Sequence, residues 1–199
     1  MIVYIIAAIC CYLLGSIPFS YILVKSIKGV DIRTLGSKNV GATNAGRILG
    51  FKGFLVAFLL DMLKGYIPIL IFGKIFNFSI ELQLLFGIIV ILGHTFTIFL
   101  NFKGGKGVAT AVGVYLAVSP QSLVIALIVF LVVVGIWRMV SLGSITAALT
   151  LLVNIVYSET SMVVKVFTAI LVFFVIYKHK ENIKRIVNGT EKKIGDKVG

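Results

Sequence analysis

Small and polar residues are concentrated in three segments of this 199-residue chain, and the first is residues 36–47. Its glycines allow backbone N–H groups to converge on an anion, and the guanidinium of Arg47 suits a phosphate bidentately. A capped, turn-rich loop is the alternative, but glycines, an arginine and two amides within twelve residues favour an anion site. The candidate phosphate-binding residues are Asn39, Gly41, Thr43, Asn44 and Arg47, and Ser37 supplies a further donor.

A second glycine-rich segment, residues 102–110, leads directly into an apolar block. A glycine-rich turn before a helix N-terminus is typical of phosphate sites. The segment is not a Walker A loop, because Gly107 follows Lys106 where serine or threonine is required and no strand precedes it. A flexible linker with lysines near the membrane explains this segment equally well. The candidate ligands are Gly104, Gly105, Lys106 and Gly107.

A third polar segment follows the last apolar block. His179 and Asn182 are three residues apart, so they lie on one face of a helix. A titratable imidazole and a neutral amide on one face favour a role in chemistry. Their basic neighbours Lys180, Lys184 and Arg185 are better explained as a helix that lies on anionic head groups.

Polar residues also interrupt the apolar blocks. Asp61 and Lys64 are three residues apart, and we expect a structural ion pair, because lone charges inside a membrane are costly. We expect His94 to be a hydrogen-bonded interior histidine rather than a catalytic one. Packing or kink positions are predicted at Ser16, Pro18 and Ser20.

The composition indicates the elements that must position these residues. Hydrophobic residues make up 59% of the chain and charged residues 13%, and the mean hydropathy is +1.11. Soluble domains are about a quarter charged, so we expect an integral membrane protein that forms one domain over residues 1–199. With two histidines and seven acidic residues, a metal site would be hard to assemble, and we expect no metal or cofactor. The adjacent Cys10 and Cys11 form neither a redox pair nor a metal site.

The apolar blocks predict an all-α fold of seven transmembrane helices. The fourth block is long enough for two spans, and a proline suits the first turn of the second one, after a break at Ser119–Pro120. The part before the break would span only about 18 Å. The blocks are residues 2–24, 53–72, 82–100, 108–137, 142–157 and 162–177.

The basic residues predict the orientation. With seven spans, the loops at 25–52 and 101–107, Arg138 and the tail from Lys178 all lie on one side of the membrane. The positive-inside bias makes that side cytoplasmic. The N-terminus is therefore expected outside and the C-terminus in the cytoplasm, because a single fourth span would place Arg138 and the tail opposite the first loops.

Five groups of residues occur in the order found in a known family. The chain resembles the bacterial acyl-phosphate:glycerol-3-phosphate acyltransferases over essentially its whole length. The groups are Gly15-Ser16-Ile17-Pro18, residues 37–47, Asp61-x-x-Lys64-Gly65, Gly93-His94 leading to residues 103–107, and residues 179–182.

The resemblance implies an inner-membrane enzyme with a cytoplasmic active site. It would transfer a fatty acyl group from acyl phosphate to the 1-hydroxyl of glycerol 3-phosphate, which gives lysophosphatidate and phosphate. Ser37 and Arg47 fall on the family's first functional motif, residues 104–107 with Lys106 on its glycerol-phosphate-binding motif, and His179 and Asn182 on its third motif. The candidate catalytic residues are Ser37, His179 and Asn182.

The chemistry of the residues agrees with this resemblance. Acyl phosphate is already activated, so the protein needs only to align the hydroxyl and stabilise the oxyanion. No His-x4-Asp pair is present, because Phe99 and Lys184 stand five residues after the two histidines. The expected partners are the two phosphate substrates, membrane lipid, and the enzymes that form acyl phosphate and acylate lysophosphatidate, with no nucleic acid.

Two alternatives remain open. A transporter for a small phosphorylated anion would also need basic contacts, and the depth of Asp61 and Lys64 favours it. Transporters usually carry internal repeats and a midplane site, and we find no repeat. A scaffold that only binds anionic lipid leaves both glycine-rich segments unexplained.

Overall fold

The structure is a computed structural model and describes residues 2–159 and 161–196. The predicted domain also includes Met1, Thr160 and residues 197–199, which lie outside the described residues. All regular secondary structure within the described residues is helical, which confirms the all-α prediction. The α-helices are α1 (Ile2–Ser16), α2 (Phe19–Lys28), α3 (Ala42–Lys74), α4 (Ile80–Thr95), α5 (Val108–Val118), α6 (Pro120–Trp137), α7 (Val140–Ser158), α8 (Met162–Lys178) and α9 (Lys180–Val187).

The chain folds into two compact units, residues 2–118 and residues 119–196. In the first unit α3 packs on α5 and on α2, and α1 packs on α4. In the second unit α7 packs on both α6 and α8. The first unit therefore contains both glycine-rich segments, and the second contains the polar segment after α8.

Several helices are long and apolar enough to cross a membrane. Within the described residues, five candidate spans cover Ile2–Lys28, Ala42–Lys74, Ile80–Leu100, Pro120–Trp137 and Val140–Ser158. The bent pair of α8 and α9 provides a sixth, and α5 is a shorter apolar helix. The predicted break in the fourth block is confirmed, because α5 ends at Val118 and α6 begins at Pro120.

The first block lies in a single candidate span, as expected, and the predicted kink occurs at Pro18, where α1 and α2 are separated because proline has no N–H group to continue the helix. One helix boundary differs from the prediction. Helix α3 begins at Ala42 instead of Gly53, so half of the predicted loop at 36–47 is helical. Gly50 has φ 75° and ψ −172°, which separates residues 42–49 from the spanning part of α3. Such a backbone conformation is accessible mainly to glycine.

Glycines allow the helices of the first unit to approach closely. A Cβ atom on Gly65 would collide with the carbonyl oxygen of Thr110, and one on Gly113 with that of Met62. Helices α3 and α5 therefore touch through their backbones, as is typical of small residues at membrane helix interfaces. The same kind of contact joins α1 and α4 at Gly15 and Gly93.

A cluster of buried polar residues connects α2, α3 and α4. The predicted ion pair is confirmed, because Lys64 Nζ lies 2.7 Å from Asp61 Oδ1 and both side chains are 1% exposed. Lys64 Nζ also donates to the carbonyl oxygen of Ile17 (2.9 Å) at the break between α1 and α2. Ser20 Oγ donates to Asp61 Oδ2 (3.3 Å), and His94 Nδ1 lies 3.5 Å from Asp61 Oδ1. We call Ser20, Asp61, Lys64 and His94 the Asp61 cluster.

Removal of one charge from this cluster should destabilise the protein strongly. Lys64→Met leaves the carboxylate of Asp61 buried without its ammonium partner, and we expect the free energy of unfolding to fall by about 3 to 5 kcal/mol. Unfolding in detergent measures the loss. Lys74→Met, at the exposed end of the same helix, is the matched control. Equal stability of the two variants would contradict a stabilising pair, whereas adding Asp61→Asn to Lys64→Met should recover part of the loss.

Candidate active site

The loop between α2 and α3 is held in shape by the side chain of Asn44. Asn44 is 2% exposed, and its Nδ2 donates to the carbonyl oxygens of Ile32 (3.1 Å) and Leu35 (3.0 Å). Its Oδ1 accepts from the N–H of Ser37 (2.8 Å). Gly36 has φ 62°, and a Cβ atom there would collide with the same oxygen. The amide of Asn44 is thus engaged by the loop backbone.

The acidic residue of this loop is neutralised within the loop. Asp31 is the only carboxylate between residues 29 and 47, and it pairs with Arg33 at 2.6 Å. Hydrogen bonds from Arg33 lower the pKa of Asp31 below its usual range, although partial burial acts in the opposite direction. The loop therefore presents little negative charge that would repel an anion.

The remaining candidates of the first segment surround the start of α3. Gly41 precedes the helix, and its carbonyl oxygen accepts from the N–H of Asn44 and that of Ala45. Thr43 and Arg47 are four residues apart, so they share one face of the helix, and both are half-buried. The positive end of the helix dipole lies here. Ser37 and Asn39 are half-buried in the preceding loop.

The second glycine-rich segment folds over the end of α4. The N–H groups of Gly104 and Gly105 donate to the carbonyl oxygens of Thr95 (3.0 Å) and His94 (3.2 Å). These carbonyls belong to the last turn of α4 and have no helical N–H group to accept from, so the segment satisfies the end of α4 at Thr95, and the candidate span continues to the predicted Leu100. A Cβ atom on Gly105 would collide with His94 Nε2 and lie 2.8 Å from the carbonyl oxygen of Val40. The two predicted phosphate loops therefore adjoin.

Lys106 and Gly107 complete this segment. Gly107 has φ 84°, and its carbonyl oxygen accepts from the N–H of Ala111 (2.8 Å), so the backbone turns here into α5. Lys106 is half-buried and stands two residues before the helix. A second helix N-terminus, with a lysine beside it, thus lies next to the loop that leads into α3.

In the second unit, His179 occupies the bend of 57° between α8 and α9 and is 3% exposed. Its Nδ1 lies 2.8 Å from the carbonyl oxygen of Val175. Because a carbonyl oxygen only accepts, this contact places the proton on Nδ1, and Nε2 is the basic nitrogen of the neutral ring. The ring is therefore held in one tautomer and one orientation.

Asn182 is fixed by a buried carboxylate that the sequence analysis missed. Its Nδ2 donates to Glu191 Oε1 (2.6 Å), and Ser141 Oγ donates to the same oxygen (2.6 Å). Arg185 Nε donates to Glu191 Oε2 (2.7 Å), so Arg185, which the sequence assigns to a face on anionic head groups, also binds this carboxylate. Neither Glu191 nor Ser141 belongs to a local motif, and Ser141 is 50 residues away along the chain. No sequence signal could have found this contact.

The pKa of Glu191 reflects these contacts. Burial by itself raises the pKa of this carboxyl, but hydrogen bonds from Ser141, Asn182 and Arg185 together lower it below its ordinary value. Glu191 is therefore ionised at neutral pH.

The C-terminal tail also contacts the turn between α6 and α7. A guanidinium nitrogen of Arg138 donates to the carbonyl oxygen of Ile194 (2.6 Å), and the N–H of Ile194 donates to the carbonyl oxygen of Arg138 (2.7 Å).

The potential metal ligands are dispersed. Among residues 2–159 and 161–196, no group of three or more His, Cys, Asp or Glu side chains could hold a metal ion. The described residues instead bring together backbone N–H groups, amides, hydroxyls and basic side chains. Such groups bind phosphate and stabilise oxyanions.

Known proteins resemble this chain over most of its length. Residues 5–189 match the family model described as glycerol-3-phosphate acyltransferase. The glycerol-3-phosphate acyltransferase of Fusobacterium nucleatum is 43% identical over 182 residues, which cover 92% of this chain and 93% of the relative. That of Aquifex aeolicus is 45% identical over 183 residues, which cover 90% and 93%.

Two solved structures share the fold. One is the crystal structure of PlsY (YgiH), an integral membrane glycerol 3-phosphate acyltransferase, in its glycerol 3-phosphate form, with a TM-score of 0.90, 42% identity and 96% of both chains covered. The other is its lysophosphatidic acid form, with a TM-score of 0.87, 41% identity and coverage of 96% of this chain and 95% of that chain. This chain therefore belongs to the glycerol-3-phosphate acyltransferase family of integral membrane proteins.

Proposed function

We propose that this protein transfers a fatty acyl group from acyl phosphate to the 1-hydroxyl of sn-glycerol 3-phosphate, which releases lysophosphatidate and phosphate. The observation that carries the proposal is the contact between two phosphate-suited loops at Gly105 and the carbonyl of Val40. The forms of the PlsY neighbour support it, because glycerol 3-phosphate is an acyl acceptor and lysophosphatidic acid is its acylated product.

The proposed topology has seven spans, with α5 as the short fourth one. The N-terminus is outside, the C-terminus is in the cytoplasm, and the active site faces the cytoplasm from the cell inner membrane. The distribution of lysine and arginine supports this orientation. The whole chain, residues 1–199, acts as one acyltransferase domain without a cofactor. The proposed partners are the enzymes that make its substrate acyl phosphate and those that acylate its product lysophosphatidate.

The first unit supplies most of the phosphate-binding groups. Arg47 and Lys106 provide charge, and the hydroxyl of Ser37 donates to a substrate oxygen. Asn44 acts by shaping the loop, since its amide is occupied by loop backbone. The other contributing residues are Asn39, Gly41, Thr43, Gly104, Gly105 and Gly107.

Asn182 and His179 are the residues proposed to act on the reacting atoms. The 1-hydroxyl attacks the acyl carbon, the bond to the phosphate oxygen breaks, and the leaving phosphate accepts the proton of the hydroxyl. Asn182 stabilises the oxyanion or orients the hydroxyl, and its contact with Glu191 fixes the amide for this task. His179 contacts glycerol phosphate, with its tautomer set by the carbonyl of Val175.

An assay of two activities tests the proposal. Purified protein should form lysophosphatidate from palmitoyl phosphate and labelled glycerol 3-phosphate, with one phosphate released for each acyl group transferred. The transport alternative predicts uptake of glycerol 3-phosphate into proteoliposomes without an acyl donor. Uptake without lysophosphatidate formation, by folded protein, would overturn the proposed function.

Substitution of Asn182 should affect turnover more than binding. Loss of an oxyanion donor lowers kcat by about 10²-fold in other enzymes, and we expect a similar loss in Asn182→Ala. Initial rates of phosphate release measure kcat. Asn188→Ala is the matched control, because Asn188 is exposed and lies six residues further along. Near-normal turnover of Asn182→Ala would exclude this role.

Substitution of Lys106 should affect the binding of glycerol phosphate. A charge-assisted hydrogen bond contributes about 1.5 to 3 kcal/mol, so Lys106→Ala should raise KM for glycerol 3-phosphate about tenfold or more. The exposed Lys103 gives a matched control, Lys103→Ala. A change confined to KM for acyl phosphate would show that the two phosphate sites are assigned the wrong way round.

Acid should release the contacts of Glu191. Because the folded pKa of Glu191 is lowered, its contribution is complete above the ordinary carboxyl pKa of about 4.3 and is lost as pH falls through the folded value. The midpoint temperature of unfolding should therefore fall less steeply with decreasing pH in Glu191→Gln than in the wild type. Glu181→Gln, at an exposed position of α9, should behave as the wild type. Identical acid profiles for all three proteins would contradict the prediction.

A further inference from the structure

The side chain of His94 lies between the ion pair of Asp61 and Lys64 and the second glycine-rich segment. Its Nδ1 faces Asp61 Oδ1 at 3.5 Å, and its Nε2 faces Gly105 so closely that a Cβ atom there would collide with it. The residue is 7% exposed. One ring nitrogen thus lies next to the ion pair of Asp61 and Lys64, and the other lies next to the backbone of the second glycine-rich segment.

The backbone of His94 acts on the same loop. Its carbonyl oxygen accepts from the N–H of Gly105 (3.2 Å), and the neighbouring Thr95 carbonyl accepts from Gly104 (3.0 Å). Lys106 follows directly, and Gly107 turns the chain into α5. The backbone at the end of α4 therefore holds the segment that leads to Lys106 and α5.

A carboxylate next to an imidazole also occurs in catalytic dyads, but here each of the two groups is engaged by other parts of the protein. Asp61 Oδ1 is shared with Lys64 Nζ at 2.7 Å, and both side chains are 1% exposed. Nε2 of His94 meets Gly105 where not even one methyl group fits. Both ring nitrogens therefore face protein groups, the carboxylate of Asp61 and the backbone of Gly105.

The geometry points to His94 as a positioning residue that sets the glycerol-phosphate loop at residues 104–107. The inference rests on the proposed function and adds a residue that acts through Gly105 and Lys106 without touching substrate. Asp61 holds the ring by Nδ1, and the ring in turn supports the loop. Loss of the ring should let the loop shift, and this would weaken the charge-assisted hydrogen bond of Lys106 to phosphate, which contributes about tenfold or more to affinity.

Two substitutions of His94 distinguish positioning from proton transfer. His94→Ala should raise KM for glycerol 3-phosphate about tenfold, with kcat and KM for acyl phosphate changed by less than about threefold. His94→Gln keeps a polar group that reaches towards Gly105 but cannot shuttle protons, so it should restore most of the affinity. A glutamine variant as impaired as the alanine variant, with a large loss of kcat, would overturn the inference.

A control separates positioning from loss of stability. Ser122, in the second unit, is 2% exposed and hydrogen-bonded to Asn154, so Ser122→Ala also removes a buried polar contact. It should leave the KM for glycerol 3-phosphate unchanged. If both alanine variants change KM in the same way, His94 has only a structural role and the inference fails.

A double-mutant cycle tests the proposed contact without relying on one variant. When His94 is present, Gly105→Ala forces a methyl group against its ring. When His94 is replaced by alanine, that space is empty. The effects of the two substitutions on KM should therefore be strongly non-additive. Independent, additive effects would contradict action through Gly105.

Direct binding keeps the inference separate from the proposed function. Calorimetry with glycerol 3-phosphate alone, in the absence of an acyl donor, should show about tenfold weaker binding to His94→Ala than to the wild type. If the wild type binds glycerol 3-phosphate but forms no lysophosphatidate, the proposed function fails while the role of His94 stands. Equal affinity of wild type and His94→Ala would overturn the role of His94 alone.

Discussion

A carboxylate inside an apolar protein needs partners, and Asp61 imposes that requirement on the first unit. An isolated charge in the membrane interior costs several kcal/mol. The partners of Asp61 come from three helices, with Ser20 on α2, Lys64 on α3 and His94 on α4. Lys64 also binds the carbonyl of Ile17, so the interruption of the first span is part of the same network. One ionised group thus determines how these helices meet.

The site follows from that network in a short series of contacts. The ring of His94 lies against Gly105 in the second glycine-rich segment. Gly105 in turn lies against the carbonyl of Val40 in the first segment. The second unit has the same design on its own, since the buried carboxylate of Glu191 holds Asn182, Ser141 and Arg185. In both units a buried anion orients a neutral polar group, while the groups suited to phosphate remain near helix ends. The rigid framework and the chemistry are therefore made by different residues.

The sequence predicted the features that depend on local pattern. Apolar block length, the proline after Ser119 and the spacing of Asp61 and Lys64 gave helices, a break and an ion pair that the structure confirms. Each of these depends on residues a few positions apart. The helical residues 42–49 were missed, because they form a separate short segment before Gly50, whose backbone conformation is not helical.

The site was predicted in part for the same reason. The sequence defines the candidate site only as polar segments, because the contacts of individual side chains depend on residues far along the chain. Asn44, which looks like a ligand in sequence, binds carbonyls up to twelve residues away. His94 was expected to be interior, which is confirmed, yet its contact with Gly105 joins two segments that no local spacing relates. Glu191 stands outside every recognisable motif.

The Asp61 cluster is expected to hold both glycine-rich segments, residues 36–47 and 102–110, in place. Hydrogen–deuterium exchange of the wild type and the Asp61→Asn, Lys64→Met double variant, compared peptide by peptide in detergent, tests it most directly. We expect faster exchange in the variant at residues 101–107 and at residues 36–41 together, although no loop residue is changed. Faster exchange confined to α3, with both loops as protected as in the wild type, would contradict the account.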